Sequence, residues 1–82
     1  MEEMKVVGFR DVDFTDEKTG KRIQGISLYV VHPADGVNGQ IAEKVFLRPD
    51  IMQNNQYSPV VGETIGITWG RSNKIVKIQR VK

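Results

Sequence analysis

The chain contains no cysteine and a single histidine among its 82 residues. Without cysteine it can form no disulfide bond, no zinc–thiolate centre and no iron–sulfur cluster, and it offers no thiol nucleophile. His32 alone supplies neither a histidine-rich metal site nor a pair of histidines for acid–base catalysis. We therefore expect no metal, no cofactor and no enzymatic activity. A binding module is the class that this composition favours.

Long apolar runs are also missing. No stretch approaches the about 18 apolar residues of a membrane-spanning helix. The acidic start MEEMK is not followed by the apolar segment of a signal peptide. We therefore expect a cytoplasmic protein with no membrane partner. A hydrophobic content of 39% is enough for one small core, which predicts a single domain over residues 1–82.

The net charge is only +2, but the charges are unevenly distributed. Up to Glu17 the chain has six acidic and two basic residues, whereas the remainder has ten basic and four acidic residues. The last twelve residues carry five bases and no acid. An asymmetry of this kind indicates a polyanionic partner, although a solvated surface strand would have the same composition.

Short alternating segments separated by glycine and proline are typical of β-strands. Ile26, Leu28 and Val30 recur at every second position before Pro33, which predicts a strand with one buried face. The apolar phase of the first segment changes near Gly8, which predicts a β-bulge there. The predicted strands cover residues 4–14, 23–32, 41–48, 63–69 and 75–81, and a helical turn is expected at residues 49–55.

Five short strands, with one helical turn between the third and the fourth, predict an all-β fold. We expect a small five-stranded OB-like Greek-key barrel, and an SH3-like barrel is the near alternative. Closure of the barrel is expected because it would remove exposed strand edges from so small a sheet.

Basic and aromatic residues alternate along the third predicted strand. Lys44, Phe46 and Arg48 occupy every second position and therefore share one face of that strand. A ring between two charges does not suit a dry core. It does suit single-stranded nucleic acid, because the ring can stack on a base while the cations contact phosphates. Tyr29, on the outward face of the second strand, is a candidate second stacking platform.

Each aromatic residue also has a structural interpretation. Phe46 could belong to the core, with its strand neighbours packed at a dimer interface, and Tyr29 could cover the mouth of the barrel. Trp69 follows the apolar phase of the fourth strand, and we expect it in the core rather than at a binding surface.

Several segments of the chain share features with a known family. The segment FTDEKTGKRIQG takes the first strand into a polar hairpin, and the strand that carries Tyr29 follows. Tyr57-Ser58-Pro59 and then Gly62 precede the fourth strand, and the chain ends in the basic segment KIVKIQRVK. In its length and in these features the chain resembles the single-stranded DNA-binding proteins of filamentous phages, the gene V protein type, and similar replication accessory proteins of phages and plasmids. That family is richer in tyrosine than this chain.

The resemblance implies a homodimer that binds cooperatively and coats single-stranded DNA during replication without strong sequence preference. It implies that Lys21 and Arg22, beside the first hairpin turn, contact phosphates. It also implies that Tyr29 stacks on a base and that Arg80 contacts phosphate. For the hairpin pair, the alternative is that both cations solvate the turn and neutralise its acids.

We therefore expect a non-catalytic protein that binds single-stranded DNA by base stacking and phosphate neutralisation. Two alternatives stay open: a protein-binding module on an SH3-like or OB-like barrel, such as a phage or plasmid assembly factor, and an RNA-binding domain. The residues predicted to contact nucleic acid are Lys21, Arg22, Tyr29, Lys44, Phe46, Arg48 and Arg80.

Overall fold

The computed structural model describes residues 2–81, except for the side chain of Asn73. All five predicted strands and the helical turn are present, with ends that differ from the predicted ones by at most two residues. The elements are β1 (Glu2–Thr15), β2 (Arg22–His32), β3 (Ile41–Leu47), α1 (Pro49–Asn54), β4 (Thr64–Trp69) and β5 (Ile75–Arg80), with a 3-10 turn at Arg71–Asn73 between the last two strands.

The five strands form one antiparallel sheet in the order β3-β2-β1-β4-β5. The long β1 pairs with β2 along most of its length and with β4 near its start. The expectation of a closed barrel is wrong, because within residues 2–81 β3 and β5 form no ladder with each other. The chain leaves β3 at Leu47 and enters α1 at Pro49, which lacks an amide hydrogen for further pairing. In the described part of the chain, β3 and β5 are therefore the two outer strands of the sheet.

The core lies on one face of the sheet, and the alternation of apolar residues decides which side chains reach it. Leu28 and Val30 of β2 are buried, as are Val45 and Leu47 of β3, which confirms the predicted strand phases. Helix α1 packs against β5 and β2 and contributes Ile51 to this core. The remaining buried hydrophobic residues of the core are Met4, Val6, Tyr57, Ile65, Ile67, Ile75 and Ile78.

A β-bulge in β1 decides which residues share the opposite face of the sheet. Val6 stands opposite Val30, but the next pair joins Gly8 to Tyr29, so that Val7 is the extra residue. The predicted irregularity near Gly8 is thus confirmed. Because paired residues project from the same face, every second residue of β1 after Gly8 shares the face of Tyr29.

His32 joins the end of β2 to the start of β3. Its Nε2 lies 2.8 Å from Oε2 of Glu43, and its Nδ1 lies 3.1 Å from the carbonyl oxygen of Pro33. The hydrogen bond to Glu43, the one to the Pro33 carbonyl and the negative charges of Glu43 and Glu2 raise the pKa of His32, although desolvation opposes them.

This raised pKa predicts a pH-dependent contribution to stability. Protonated His32 stabilises the fold below its ordinary pKa of 6.5, and this contribution disappears as the pH rises through the raised value of the folded state. We expect the urea midpoint to fall between about pH 6 and about pH 8, and the fall to be smaller in His32→Gln. Urea titrations of both proteins at the two pH values test this. Equal shifts in the two proteins would contradict the prediction, since His32 is the single histidine of the chain.

Candidate nucleic-acid interface

An open groove crosses β1, β2 and β3 on the sheet face opposite the core; we call it the face groove. Cross-strand pairing brings its central residues together, because Lys44 stands opposite Tyr29 and Phe46 opposite Ser27. Arg10 of β1 also stands opposite Ser27, from the other side of β2. The groove encloses about 560 Å³ and is lined by Arg10, Asp11, Val12, Asp13, Phe14, Ile23, Ser27, Tyr29, Lys44 and Phe46.

Two of its aromatic rings lie over glycines of the neighbouring strands. A Cβ built on Gly8 would lie 3.8 Å from Cδ2 of Tyr29. A Cβ built on Gly25 would lie 2.6 Å from Cζ of Phe46 and would clash with the carbonyl oxygen of Leu47. The contact at Gly8 is an ordinary van der Waals distance, but only a glycine at position 25 leaves room for the Phe46 ring, which remains 40% exposed. Phe46 is therefore outside the core, and its ring is available to a ligand.

The charges of the face groove are mixed. Arg10 and Lys44 are accompanied by Asp11 and Asp13. Asp13 is paired with Arg22, whose Nε and Nη2 donate to its two carboxylate oxygens at 2.8 and 2.7 Å. This hydrogen-bonded pairing lowers the pKa of Asp13. The groove thus offers rings and two cations, but it is not strongly positive as a whole.

A second cleft separates the edge of β3 from the turn between β4 and β5; we call it the edge cleft. It encloses about 350 Å³ and contains three cationic side chains and two large rings. Arg48 lies at its rim, with Nε 3.5 Å from Oδ1 of Asp50. The residues that line the cleft are Lys44, Val45, Phe46, Arg48, Ile51, Trp69, Lys74 and Ile75.

Trp69 lies in this edge cleft, and its predicted position in the core is wrong. The side chain is 36% exposed, and Nε1 donates to Oε2 of Glu2 at 3.4 Å. The β4–β5 ladder shifts register between Thr68 and Trp69, so that Trp69 pairs with Ile75. Paired residues share a face, so Trp69 stays on the side of buried Ile75; as the last residue of β4 it lies at the rim of the core, where its indole remains partly exposed.

Of the predicted contact residues, the structure brings Tyr29, Lys44 and Phe46 together in the face groove, and it places Arg48 in the adjoining edge cleft. Arg22 begins β2, about 23 Å from Tyr29 along the strand at roughly 3.3 Å per residue, and Lys21 precedes it in the β1–β2 hairpin. Lys21 is exposed, and its amide donates to Oγ1 of Thr19 at 3.3 Å. Neither hairpin cation is among the residues that line the two grooves, although Arg22 is bonded to Asp13, which lines the face groove.

Arg80 takes part in a different cluster. Its Nε donates to Oε2 of Glu63, and its Nη2 donates to the carbonyl oxygen of Ser58 at 3.0 Å. Tyr57 donates its hydroxyl to Oε1 of Glu63, and the Arg80 guanidinium carbon lies 5.9 Å from the centre of the Tyr57 ring. Burial alone would raise the pKa of Glu63, but hydrogen bonds from Tyr57, Arg80 and the Val60 amide, together with the Arg80 charge, lower it.

Several residues of the two grooves were not among the predicted contacts: Arg10, Phe14, Trp69 and Lys74. Arg10 and Phe14 could have been found by counting every second residue from the bulge at Gly8, since this count puts them on the face of Tyr29. Lys74 had no comparable signal beyond its position in a basic turn.

Within residues 2–81, no group of three or more histidine, cysteine or acidic residues could hold a metal ion. No helix in the described part of the chain is long and apolar enough to cross a membrane. Comparison of the chain with protein-family models, with curated proteins and with solved structures finds no match.

Proposed function

We propose that this protein binds single-stranded DNA without catalysing a reaction, and that the face groove is the binding surface. The observation that carries the proposal is the row of rings in one open groove, formed by Phe14, Tyr29 and Phe46 with Lys44 and Arg10 beside them. Rings on an open sheet face can stack on unpaired bases, and the neighbouring cations can contact phosphates. Stacking of this kind tolerates any base sequence, as a strand-coating protein requires.

We further propose that the fold is a partly open OB-like barrel. Its strand order supports this, because β1 is central and pairs with both β2 and β4, and because α1 connects β3 to β4. In OB-folds the face of strands 2 and 3 binds oligonucleotides, and here that face carries Tyr29, Lys44 and Phe46. A homodimer, as the gene V protein resemblance implies, would place two such surfaces on one strand and so increase avidity. The proposed location, expected from the sequence composition, is the cytoplasm.

The proposal predicts tighter binding to oligo(dT) than to duplex DNA of equal length. A duplex hides its base faces, so the exposed rings cannot stack on it. Binding should also weaken with salt, because each phosphate of a single strand that is contacted releases roughly 0.7 of a counterion. Fluorescence anisotropy of labelled oligo(dT), duplex DNA and oligo(U), each at two salt concentrations, tests both expectations. Equal or tighter binding to duplex DNA would contradict a stacking surface. The titration with oligo(U) shows whether the protein binds RNA as tightly as DNA.

A protein-binding module is the second candidate, and one observation favours it. Within residues 2–81, β3 is the outermost strand on one side of the sheet, and an extended peptide can add a strand to such an edge. Main-chain pairing of this kind depends little on salt, whereas phosphate contact depends on it steeply. Salt-independent capture of an extended peptide, with no affinity for oligo(dT), would favour this second candidate.

A further inference from the structure

The face groove and the edge cleft meet at the outer edge of β3. Lys44 and Phe46 line both of them, so the two depressions share one cation and one ring. A chain molecule that crosses the Phe46 ring on the sheet face therefore arrives directly at the cleft that contains Trp69.

The charges of the two grooves differ in a way that bears on phosphate binding. Acidic residues occur beside the cations of the face groove, whereas the residues lining the edge cleft include Lys44, Arg48 and Lys74 and none that is acidic. Exposed Asp50 does pair with Arg48, at 3.5 Å. Sequence-independent affinity for a polyanion comes from cations that neutralise phosphates. The face groove by itself is a weak source of that affinity, and the edge cleft is a stronger one.

The surroundings of Trp69 limit the direction that a polyanion can take. On another side of this residue lies a depression lined by Glu2, His32 and Glu43 together with Lys44 and Val45. Two carboxylates there would repel phosphates, whereas the edge cleft would attract them. The charge distribution therefore favours passage between β3 and the β4–β5 turn.

We propose that a single strand of DNA runs from the face groove over Phe46 into the edge cleft. There a base stacks on Trp69, and Arg48 and Lys74 contact the phosphates that flank it. The inference rests on the proposed function and extends it, because it assigns a second stacking site and makes the footprint longer than the face groove. Indole is the largest aromatic surface in the chain, and 36% exposure leaves it accessible to a base.

The intrinsic fluorescence of Trp69 provides a direct test, since it is the single tryptophan of the chain. Oligo(dT) of increasing length, over the roughly 4–16 nucleotides that one OB domain contacts, would be titrated into the wild-type protein. Long oligonucleotides should quench the emission and protect Trp69 from acrylamide. Even the shortest oligonucleotides that bind should change the emission, because the edge cleft contains three cations and no acidic lining residue. Unchanged emission and unchanged acrylamide access at saturation with the longest oligonucleotide would overturn the proposal.

Variants separate the edge cleft from the face groove. Trp69→Leu should weaken binding of oligo(dT) by roughly 5- to 150-fold, the range for loss of one stacked base. Lys74→Glu should also weaken the binding of long oligonucleotides and reduce the salt dependence of that binding. Its matched control is Lys77→Glu, an exposed charge reversal on β5 at a residue that lines neither groove.

The outcomes distinguish this inference from the function on which it rests. The role of the edge cleft would be overturned if Trp69→Leu and Lys74→Glu both bound with wild-type affinity and oligo(dT) left the Trp69 emission of the wild-type protein unchanged. The proposed role of the face groove would not be affected by that result. Equal losses of affinity in Lys74→Glu and Lys77→Glu would show that only the net charge matters, and would also overturn the role of the edge cleft. Failure of the wild-type protein to bind any oligo(dT) would reject the proposed function itself. Should Trp69→Leu not fold, the wild-type fluorescence and the two lysine variants decide.

Discussion

Substitution of Tyr57 by alanine is expected to reduce the free energy of unfolding by about 3–5 kcal/mol, the usual loss for a buried aromatic residue. Tyr57 is 5% exposed and belongs to the core cluster beside α1. Its hydroxyl also donates a hydrogen bond to Glu63, which is 7% exposed. Removal of the ring would leave a cavity, and Glu63 would lose one of its donors. Urea unfolding monitored by circular dichroism measures the loss.

Tyr57→Phe is the matched control, because it keeps the ring and removes only the hydroxyl. Glu63 would retain Arg80 and the amide of Val60, 3.1 Å from Oε1, as donors. We expect this variant to lose about 1 kcal/mol, the net value of a typical hydrogen bond. If Tyr57→Ala lost no more than Tyr57→Phe, the ring would not be part of the core. Tyr29→Ala provides the contrast, since Tyr29 lies on the open face and should affect binding more than stability.

The Glu63 network also bears on Arg80. Glu63 is ionised and buried, and its lowered pKa means that its contribution is present above the ordinary value of 4.5 and disappears as the pH falls through the lowered one. A phosphate that attracted Arg80 would have to compete with this carboxylate and with the Ser58 carbonyl. We therefore interpret Arg80 first as a residue that holds the strand end of β5 to the loop before β4.

The strand positions could be predicted from the sequence because a half-buried strand alternates strictly. Leu28 and Val30 of β2, and Val45 and Leu47 of β3, recur at every second position, and all four are buried. The same alternation placed Lys44 and Phe46 on the opposite face. Local pattern was sufficient here because each side chain's direction depends only on its own strand.

What could not be predicted depends on how strands meet. Trp69 keeps the phase of the buried residues of β4 and pairs with buried Ile75, but it is the last residue of the strand and lies at the rim of the core, which the alternation within β4 does not encode. Arg22 pairs with Asp13 rather than with the acids of the turn, because the β1–β2 register places Arg22 opposite Thr15 and so beside Asp13. The prediction of a closed barrel was wrong for a similar reason, since closure requires β3 and β5 to pair along their length. Cross-strand register is a tertiary property, and one-dimensional alternation does not contain it.

Phe46 occupies the point where the two grooves meet, and Phe46→Ala is expected to cause the largest loss of affinity for single-stranded DNA. One stacked base contributes about 1–3 kcal/mol, and we expect a loss near the upper end, up to roughly 150-fold in Kd. The reason is that this ring lines both the face groove and the edge cleft, so its removal interrupts the path between them. Tyr29→Ala, which affects the face groove alone, should lose less. Anisotropy titrations with long oligo(dT) compare the two variants.

Phe9→Ala is the matched control for Phe46→Ala, because the same atoms are removed at nearly the same exposure. Phe9 is 42% exposed and Phe46 40%, but Phe9 is not among the residues that line either groove. The Phe46 ring also covers Gly25, so Phe46→Ala should lose some stability, and urea titrations must show that it is folded under the binding conditions. A folded Phe46→Ala protein that binds oligo(dT) as tightly as Phe9→Ala does would remove the ring from the binding surface. Such a result would leave the grooves without the residue that connects them, and the edge of β3 would then be better explained as a site for strand addition by a peptide.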